Sequence, residues 1–151
     1  MYPLTITSPH DEKELHVLTR FMLKQPQFYP KHDKWIHNKC IPGIKASSYN
    51  AIVAMTSDHE VIGNIIYKIV SQEKVELKNL RIDPLYRNRD LGHFLLSQLQ
   101  YEVRGAEIST DVSVVNFPAV EFLIRNKFDI VGKESLYLPN QDEYLMVKSV
   151  R

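Results

Sequence analysis

The residues best suited to chemistry lie between Leu80 and Leu96, where a strand-like apolar run is followed by a short basic loop and an apolar helical pattern. Arg87 and Arg89 lie in the loop, and Gly92 follows it. The first backbone N–H groups of a helix lack intrahelical partners and carry partial positive charge, so they bind phosphate readily. The absent Cβ of Gly92 would let a phosphate approach the backbone. Solvated arginines on a surface loop and a glycine that eases helix packing fit the same residues, so both interpretations stay open.

The composition restricts what such a site could serve. The chain of 151 residues is 44% hydrophobic and 25% charged, which is typical of a soluble globular protein, and we expect residues 1–151 to form one domain. A net charge of +1 gives no overall field toward nucleic acid or an anionic membrane. Cys40 is the only cysteine, which excludes an internal disulfide. No stretch has the length and apolarity of a signal peptide or a membrane span, so we expect a cytoplasmic protein.

The elements that must position the loop alternate between strands and helices. We predict strands at Tyr2–Thr7, Tyr49–Thr56, Val61–Val70, Val75–Ile82, Glu107–Val115, Phe128–Leu136 and Glu143–Val150. We predict helices from Ser8-Pro9 onward, from about Asp90 to Val103 and over Phe117–Asn126. The buried stripe of the first helix should consist of Leu15, Leu18, Phe21 and Met22.

Two short motifs in this order resemble a known family. The stretch YRNRDLGHFLL resembles the acyl-CoA pyrophosphate loop of the GCN5-related N-acetyltransferases (GNAT), Arg/Gln-x-x-Gly-x-Gly/Ala, with Arg87 at the first position and Gly92 at the last. The stretch NFPAVEFLIRNKF resembles the family's Asn-x-x-Ala-x-x-apolar-Tyr-x-x-x-Gly-Phe. The residues that match it are Asn116, Ala119, Phe122 and Phe128.

The resemblance implies an α/β fold of the α+β kind, with a mixed, mostly antiparallel central sheet flanked by helices. A splay is implied between the fourth and fifth strands, which end near Ile82 and Val115. The implied activity is direct transfer of an acetyl group from acetyl-CoA, a cosubstrate, to a primary amine on a small molecule or a peptide, without a metal. The implied coenzyme-binding residues are Leu80, Arg81, Ile82, Arg87, Asn88, Arg89, Asp90, Leu91, Gly92, His93, Asn116, Ala119 and Phe122. We expect a monomer or homodimer without a nucleic-acid or membrane partner.

Acetyl transfer needs a neutral amine, a polarised thioester and a proton for the leaving sulfur. In the family the backbone of the strand before the loop meets the acetyl-pantetheine arm, often at a bulge, which here implies the backbone of Leu80–Ile82. Glu76 stands where several members carry a general base, although a glutamate facing solvent between two lysines fits it equally. Leu123 stands where the family places its tyrosine acid, so Tyr137, Tyr144 or water is the candidate proton donor. Both tyrosines also fit as ordinary strand aromatics.

Three departures from the family pattern matter for function. Asp90 replaces the first glycine of the loop, and its carboxylate either caps the helix or weakens coenzyme binding. Leu123 removes the usual acid, and Lys127 replaces the glycine before Phe128, where we expect an effect on turn geometry only. The first two departures favour a second function, a non-catalytic acyl-CoA-binding or regulatory module of the same fold.

The remaining candidate sites are weaker. His32, His37 and Cys40 lack a fourth metal ligand and a paired spacing, and we interpret them as surface histidines beside a buried thiol. Lysines alternate with aromatic residues between Lys24 and Lys39, which can indicate nucleic-acid binding. A solvated helical hairpin with inward aromatics explains that pattern as well, and in the resembled family this region borders the acceptor site.

Overall fold

The computed structural model describes residues 4–9, 11–25, 31–87 and 90–149, and the strands of this part form a seven-stranded sheet. The strands are β1 (Leu4–Thr7), β2 (Asn50–Thr56), β3 (Val61–Ile69), β4 (Lys74–Ile82), β5 (Glu107–Ser113), β6 (Asp129–Leu138) and β7 (Gln141–Lys148). Their order is β1-β2-β3-β4-β5-β7-β6, and β4 with β5 is the parallel pair among antiparallel neighbours. The predicted mixed, mostly antiparallel sheet is therefore confirmed.

The strands begin and end within two residues of their predicted positions. Differences of two residues occur at the end of β5, which stops at Ser113, and in the last hairpin, where β6 continues to Leu138 and β7 begins at Gln141. The two residues between them, Pro139 and Asn140, form the turn, which the apolar pattern alone did not locate. Predicted strand residues Tyr2, Pro3 and Val150 lie outside the described residues.

The helices are α1 (Glu12–Lys24), α2 (His32–Trp35), α3 (Ile41–Lys45), α4 (Leu91–Glu102) and α5 (Phe117–Arg125). A π-helical segment, Ile36–Cys40, joins α2 to α3, and a 3₁₀ turn, Pro84–Tyr86, follows β4. The predicted start of α1 at Ser8-Pro9 is wrong. Asp11 is the N-cap, because its carboxylate accepts a hydrogen bond from the Glu14 backbone N–H at 2.8 Å.

The two faces of the sheet bury separate apolar clusters. On one face α4 and α5 pack over side chains such as Leu77, Ile108 and Met146. On the other face α1 and the segment from α2 to α3 cover β2 and β3, and the predicted buried stripe of α1 is confirmed. Polar side chains occupy this second face over β4, β5 and β7, so the sheet keeps a polar area next to the parallel pair.

Candidate active site

Strands β4 and β5 separate soon after they begin to pair. The parallel pairing covers Lys74 with Glu107, Val75 with Ile108 and Glu76 with Ser109. Just beyond it, the Thr110 hydroxyl donates a hydrogen bond to the Leu77 carbonyl oxygen, at 3.0 Å from Oγ1. The gap beyond this bridge, between residues 77–82 of β4 and 110–113 of β5, is the splay. Its position confirms the predicted opening between the fourth and fifth strands.

A β-bulge in β4 lies at the start of the splay. Ile66 of β3 is paired with Asn79, but the next residue, Tyr67, is paired with Leu77, so Lys78 is the extra residue. A bulge bends its strand and increases the local twist, which turns the end of β4 away from β5. The sequence had implied a bulge at Leu80–Ile82; the structure places it just before these residues.

The bulged strand directs backbone groups into the splay. The Asp83 N–H donates to the Ile62 carbonyl of β3 at 2.8 Å. Because the residues of an antiparallel pair alternate in the direction of their backbone groups, Ile82 and Leu80 point their N–H and C=O groups away from β3. They therefore face the region that β5 has left, while their side chains pack on the cluster under α4.

Arg81 is placed differently from its two neighbours. Its backbone groups face β3, and its side chain lies on the sheet face of α2 because it is paired with Asn64. The side chain is close enough to His32 to affect it: burial lowers the pKa of His32, and the charge of Arg81 lowers it further. His32 is buried and stacks on Trp35 with 5.4 Å between ring centroids, so its interpretation as a surface histidine was wrong.

The loop after β4 leads into the N-terminus of α4. Arg87 is exposed there, Leu91 is the first helical residue and is buried, and the predicted site residues Asn88 and Arg89 lie outside the described residues. Asp90 occupies the N-cap position, but its side chain makes no capping hydrogen bond. Its backbone has a φ of 60°, in the left-handed region, so the alternative in which its carboxylate caps the helix does not hold.

Gly92 is explained by helix packing. A Cβ at this position would come 2.8 Å from Cε1 of Phe122 on α5, closer than real Cβ contacts allow. The expectation of open space above Gly92 is therefore corrected, and the alternative of a packing glycine is favoured. The same two helices are joined by His93, which is exposed and whose Nδ1 lies 2.9 Å from Asn126 Oδ1.

The second motif brings the start of α5 to the open end of the splay. Asn116 follows β5 at the N-cap position of α5, where its side chain makes no capping hydrogen bond. Ala119 and Phe122 pack against the apolar cluster. Leu123, in the tyrosine position, is buried in that cluster with 5% of its surface exposed. A tyrosine in this side-chain position would have to displace core residues.

The candidate acid Tyr137 is hydrogen-bonded to a carboxylate that the sequence analysis missed. Its hydroxyl lies 3.1 and 3.2 Å from the two carboxylate oxygens of Asp111 on β5, to which it donates. The alternative acid, Tyr144, is paired with Val112 and packs on the cluster of the opposite face, away from Asp111. The polar residues at alternate positions of β5, Ser109, Asp111 and Ser113, were the signal that could have identified this carboxylate.

The candidate base Glu76 lies where β4 and β5 stop pairing. Its Oε2 accepts a hydrogen bond from Lys78 Nζ, and its side chain is 40% exposed. The alternative of a solvent-facing glutamate between two lysines is consistent with this exposure. One of the two lysines, Lys78, binds its carboxylate directly. Glu76 and Tyr137 lie on two sides of Asp111, since β4 and β6 flank it from opposite directions in the sheet order.

Asp111 and the buried Glu143 have perturbed acidities. Burial raises the pKa of Asp111, and Glu76 raises it further, while the Tyr137 hydrogen bond and the charge of Lys78 act in the opposite direction. Burial also raises the pKa of Glu143, which is fully buried on β7 beside Ser113. The Glu143 Oε1 atom accepts from Gln141, while Oε2 has no hydrogen-bond partner among the described residues. Perturbed carboxyls in a partly open site are typical of acid–base chemistry.

Comparison with known proteins decides the family. A family model described as Acetyltransferase (GNAT) family matches residues 14–128, which include both motifs and the splay. The chain belongs to the GNAT acetyltransferase family. It is therefore an acyltransferase enzyme that takes its acyl group from acyl-CoA. No curated protein sequence matches the chain.

Solved GNAT structures show the same fold at low sequence identity. A GNAT-family protein from Desulfovibrio desulfuricans superposes with a TM-score of 0.86 at 16% identity, over 99% of this chain and 100% of that one. NAA60 from Arabidopsis thaliana, in complex with a bisubstrate analogue, gives 0.78 at 19% identity, over 98% of each chain. PaiA N-acetyltransferase from Thermoplasma acidophilum, in complex with coenzyme A, gives 0.74 at 19% identity, over 97% and 99%.

The described part of the chain was searched for a metal-binding cluster and for a membrane-spanning helix. It contains no group of three or more His, Cys, Asp or Glu side chains arranged to hold a metal ion. None of its helices has the length and apolarity required to cross a membrane.

Proposed function

We propose that this GNAT enzyme transfers an acetyl group from acetyl-CoA directly to a primary amine. The observation that carries the proposal is the splay, into which Leu80 and Ile82 direct backbone groups that no described strand pairs with, next to the N-terminus of α4. An extended pantetheine arm carries amide groups that can bond to such a strand as another strand would. PaiA with coenzyme A and NAA60 with a bisubstrate analogue support this, because both share the fold.

Each part of the coenzyme has a candidate contact. The backbone N–H groups of the loop and of Leu91, Gly92 and His93 would hold the pyrophosphate, with positive charge from Arg87. Asn88 and Arg89, predicted for the same site, would add a polar and a positive side chain. Asn116 would bond to the pantetheine arm across the splay from Leu80 and Ile82, whereas the backbone of Arg81 faces β3 and leaves this predicted residue without a contact to the arm. Ala119 and Phe122 would form the apolar wall on the side of α5.

The acceptor amine would enter from the sheet face that carries Asp111, Glu76 and Tyr137. The amine nitrogen attacks the thioester carbonyl, the C–S bond breaks, and the sulfur leaves as a thiol after it receives a proton. No covalent intermediate with the enzyme is needed. Tyr137 and Glu76, the candidate acid and base of the sequence analysis, stay predictions. We propose that residues 1–151 act as one domain; the cytoplasmic location and the monomeric or homodimeric state stay predictions.

Thiol release from acetyl-CoA tests the proposal. The protein is mixed with acetyl-CoA and one of three amines: spermidine, lysine, or the peptide MVNAL, which is part of the bisubstrate analogue bound to Naa50 from Arabidopsis thaliana. The free thiol is measured with and without each amine. We expect amine-dependent release with at least one of them, and acetylated amine by mass spectrometry. Binding of acetyl-CoA without release to any amine would favour the non-catalytic module, which Asp90 and the buried Leu123 make the second candidate.

A matched pair of charge reversals locates the coenzyme. Arg87→Glu places a negative charge at the N-terminus of α4 and should weaken coenzyme A binding by about tenfold or more. Arg104→Glu makes the same change beyond the other end of α4 and should leave affinity within about twofold. Equal effects of the two reversals would remove the pyrophosphate site from the N-terminus of α4.

A further inference from the structure

The polar face beside the splay contains a partly buried carboxylate, Asp111, on the strand that separates from β4. Asp111 lies two residues beyond Ser109, the last residue of β5 paired with β4, so it lines the widening part of the splay. It is opposite the bulge at Lys78, which is close enough to lower its pKa. Its side chain is partly exposed, so an acceptor can reach it.

The neighbours of Asp111 orient the carboxylate without neutralising it. Tyr137 donates to it at 3.1 Å, and this bond comes from β6, across the intervening strand β7. Lys78, the one cation shown to act on Asp111, already donates to Glu76. Glu143 stands diagonally from Asp111 on the same face, since it is paired with Ser113, and Asp111 in turn raises the pKa of Glu143.

The Asp111 carboxylate can still accept hydrogen bonds. It is partly exposed, and its two oxygens share one tyrosine proton. An ammonium group has three donors and a positive charge. The site therefore fits the charged form in which an alkylamine arrives at neutral pH.

We propose that Asp111, and not Glu76, binds the acceptor ammonium and receives its proton, and that Tyr137 is its positioning residue. This assignment rests on the proposed function and adds to it that the acceptor is an alkylamine bound as a cation. The Glu76 carboxylate already has a cationic partner, because Lys78 forms an ion pair with it. A carboxylate whose acidity burial has moved toward neutral pH accepts a proton more effectively.

The protons balance over one turnover. The ammonium gives one proton to the Asp111 carboxylate, and the neutral nitrogen forms the C–N bond with the thioester carbonyl carbon. The nitrogen of the resulting adduct then loses a second proton, the C–S bond breaks, and the thiolate takes up that second proton directly or through water. Asp111 finally releases the first proton to solvent. The products are the acetylated amine, the thiol and one proton.

Asp111→Asn and Glu76→Gln are matched variants that separate the two carboxylates. Each removes one negative charge and keeps the shape of the side chain. With the amine of the spermidine, lysine and MVNAL set that the parent turns over fastest, Asp111→Asn should lower kcat/KM by about 10²-fold at pH 7. The loss should shrink near pH 10, where alkylamines are largely neutral. Glu76→Gln should stay within about threefold.

The acid limb of the pH profile supplies a readout that a structural role would not move. This limb reports the pKa of the group that must be ionised, which is Asp111 in our proposal. The titratable and charged side chains around Asp111 are Glu76 and Lys78 of β4, Tyr137 of β6 and Glu143 of β7. Tyr137→Phe removes a bond that lowers the pKa of Asp111, so the limb should move to higher pH. Glu76→Gln removes a charge that raises it, so the limb should move to lower pH.

Coenzyme A affinity and the melting temperature of every variant distinguish the possible failures. If the parent turns over and Asp111→Asn keeps its rate, or if Glu76→Gln alone loses it, this assignment is overturned and the proposed function stands. A pH-independent loss accompanied by weaker coenzyme A binding also overturns it, since Asp111 would then support the fold. If the parent binds acetyl-CoA but acetylates none of the three amines, the proposed function fails and this inference falls with it.

Discussion

Two residues of this chain adopt the backbone conformation of glycine where the family pattern has glycine. Asp90 has a φ of 60° and Lys127 a φ of 72°. The left-handed region costs most side chains about 1–2 kcal/mol, and aspartate tolerates it better because its short side chain bonds locally. The backbone of each turn is thus kept although the residue has changed. The sequence could show the replaced glycine but not the retained φ, so it left open whether the Asp90 side chain caps the helix.

Asp90→Gly should relieve backbone strain and remove a negative charge near the pyrophosphate. Because glycine also loses more entropy on folding, by about 0.5–1 kcal/mol, we expect stability to change by less than about 1 kcal/mol. Coenzyme A binding should become tighter, as measured by calorimetry. Asp90→Ala is the control for charge, since alanine removes the carboxylate but keeps the strain, and it should destabilise the protein. Weaker coenzyme binding in Asp90→Gly would contradict this account.

Side-chain partners that are far apart in the sequence were not predictable. Tyr137 was a candidate from its place in the last hairpin, but its partner Asp111 is 26 residues away. Their contact depends on the order β5-β7-β6, which no local pattern encodes. Gly92 and Phe122 show the same limit, because both motif residues were identified while their contact was not.

The contact between Gly92 and Phe122 gives a prediction about packing. Gly92→Val should destabilise the fold by about 1–3 kcal/mol, because the new side chain meets the Phe122 ring. Phe122→Leu in the same chain should recover part of that loss, which urea unfolding of both single variants and the double variant would measure. Additive losses would show that Phe122 does not oppose a side chain at position 92.

At the scale of elements, the active site is created by the way in which β4 leaves β5. The apolar residues of β4 that pack on the α4 cluster are Val75, Leu77, Leu80 and Ile82. Their spacing of two, three and two slips by one residue at Lys78, which is the bulge. This slip was readable in the sequence, although the implied bulge was placed later. The number of residues that β4 pairs with β5 could not be predicted from the sequence of β4. It depends on the position of β5, which follows β4 in the chain only after α4.

Thr110 should hold the edge of the splay in place. Thr110→Val keeps the shape of the side chain but loses the hydroxyl bond to the Leu77 carbonyl, so the free energy of unfolding should fall by about 1 kcal/mol. Coenzyme A should also bind more weakly, because the two strands lose their fixed separation. Thr110→Ser retains the hydroxyl and should bind coenzyme A as the parent does. If the Thr110→Val and Thr110→Ser variants bind coenzyme A equally well, the hydrogen bond from Thr110 to Leu77 does not shape the splay.

At the scale of the whole molecule, strand alternation and the order of two motifs were sufficient to predict the fold. Both are properties of the local sequence, and only a few arrangements of strands and helices are compatible with a given order of elements. The acceptor side was predicted less well, because it is assembled from β4, β5, β6, β7 and the segment after α1. Its carboxylates occupy ordinary strand positions, and their burial exists only after the strands have paired.

The buried carboxyls should make stability depend on pH. In the folded protein the pKa of Asp111 lies above its ordinary 3.8 and that of Glu143 above 4.5. A raised folded-state pKa means that their contribution to stability is complete below the ordinary values and is lost as pH rises through the folded ones. The melting temperature of Glu143→Gln relative to the parent should therefore increase as pH rises from about 4 toward 7. A constant difference would contradict the raised pKa of Glu143.

Amide hydrogen exchange at Leu80 and Ile82 tests the central claim most directly, because it reports whether the coenzyme arm enters the splay. Neither N–H group has a strand partner among the described residues, whereas the N–H of Arg81, between them, faces β3. Saturating coenzyme A should slow exchange at Leu80 and Ile82 on the order of tenfold and change Arg81 much less. If coenzyme A raises the melting temperature while exchange at Leu80 and Ile82 stays unchanged, the coenzyme binds elsewhere and the assignment of the splay is wrong.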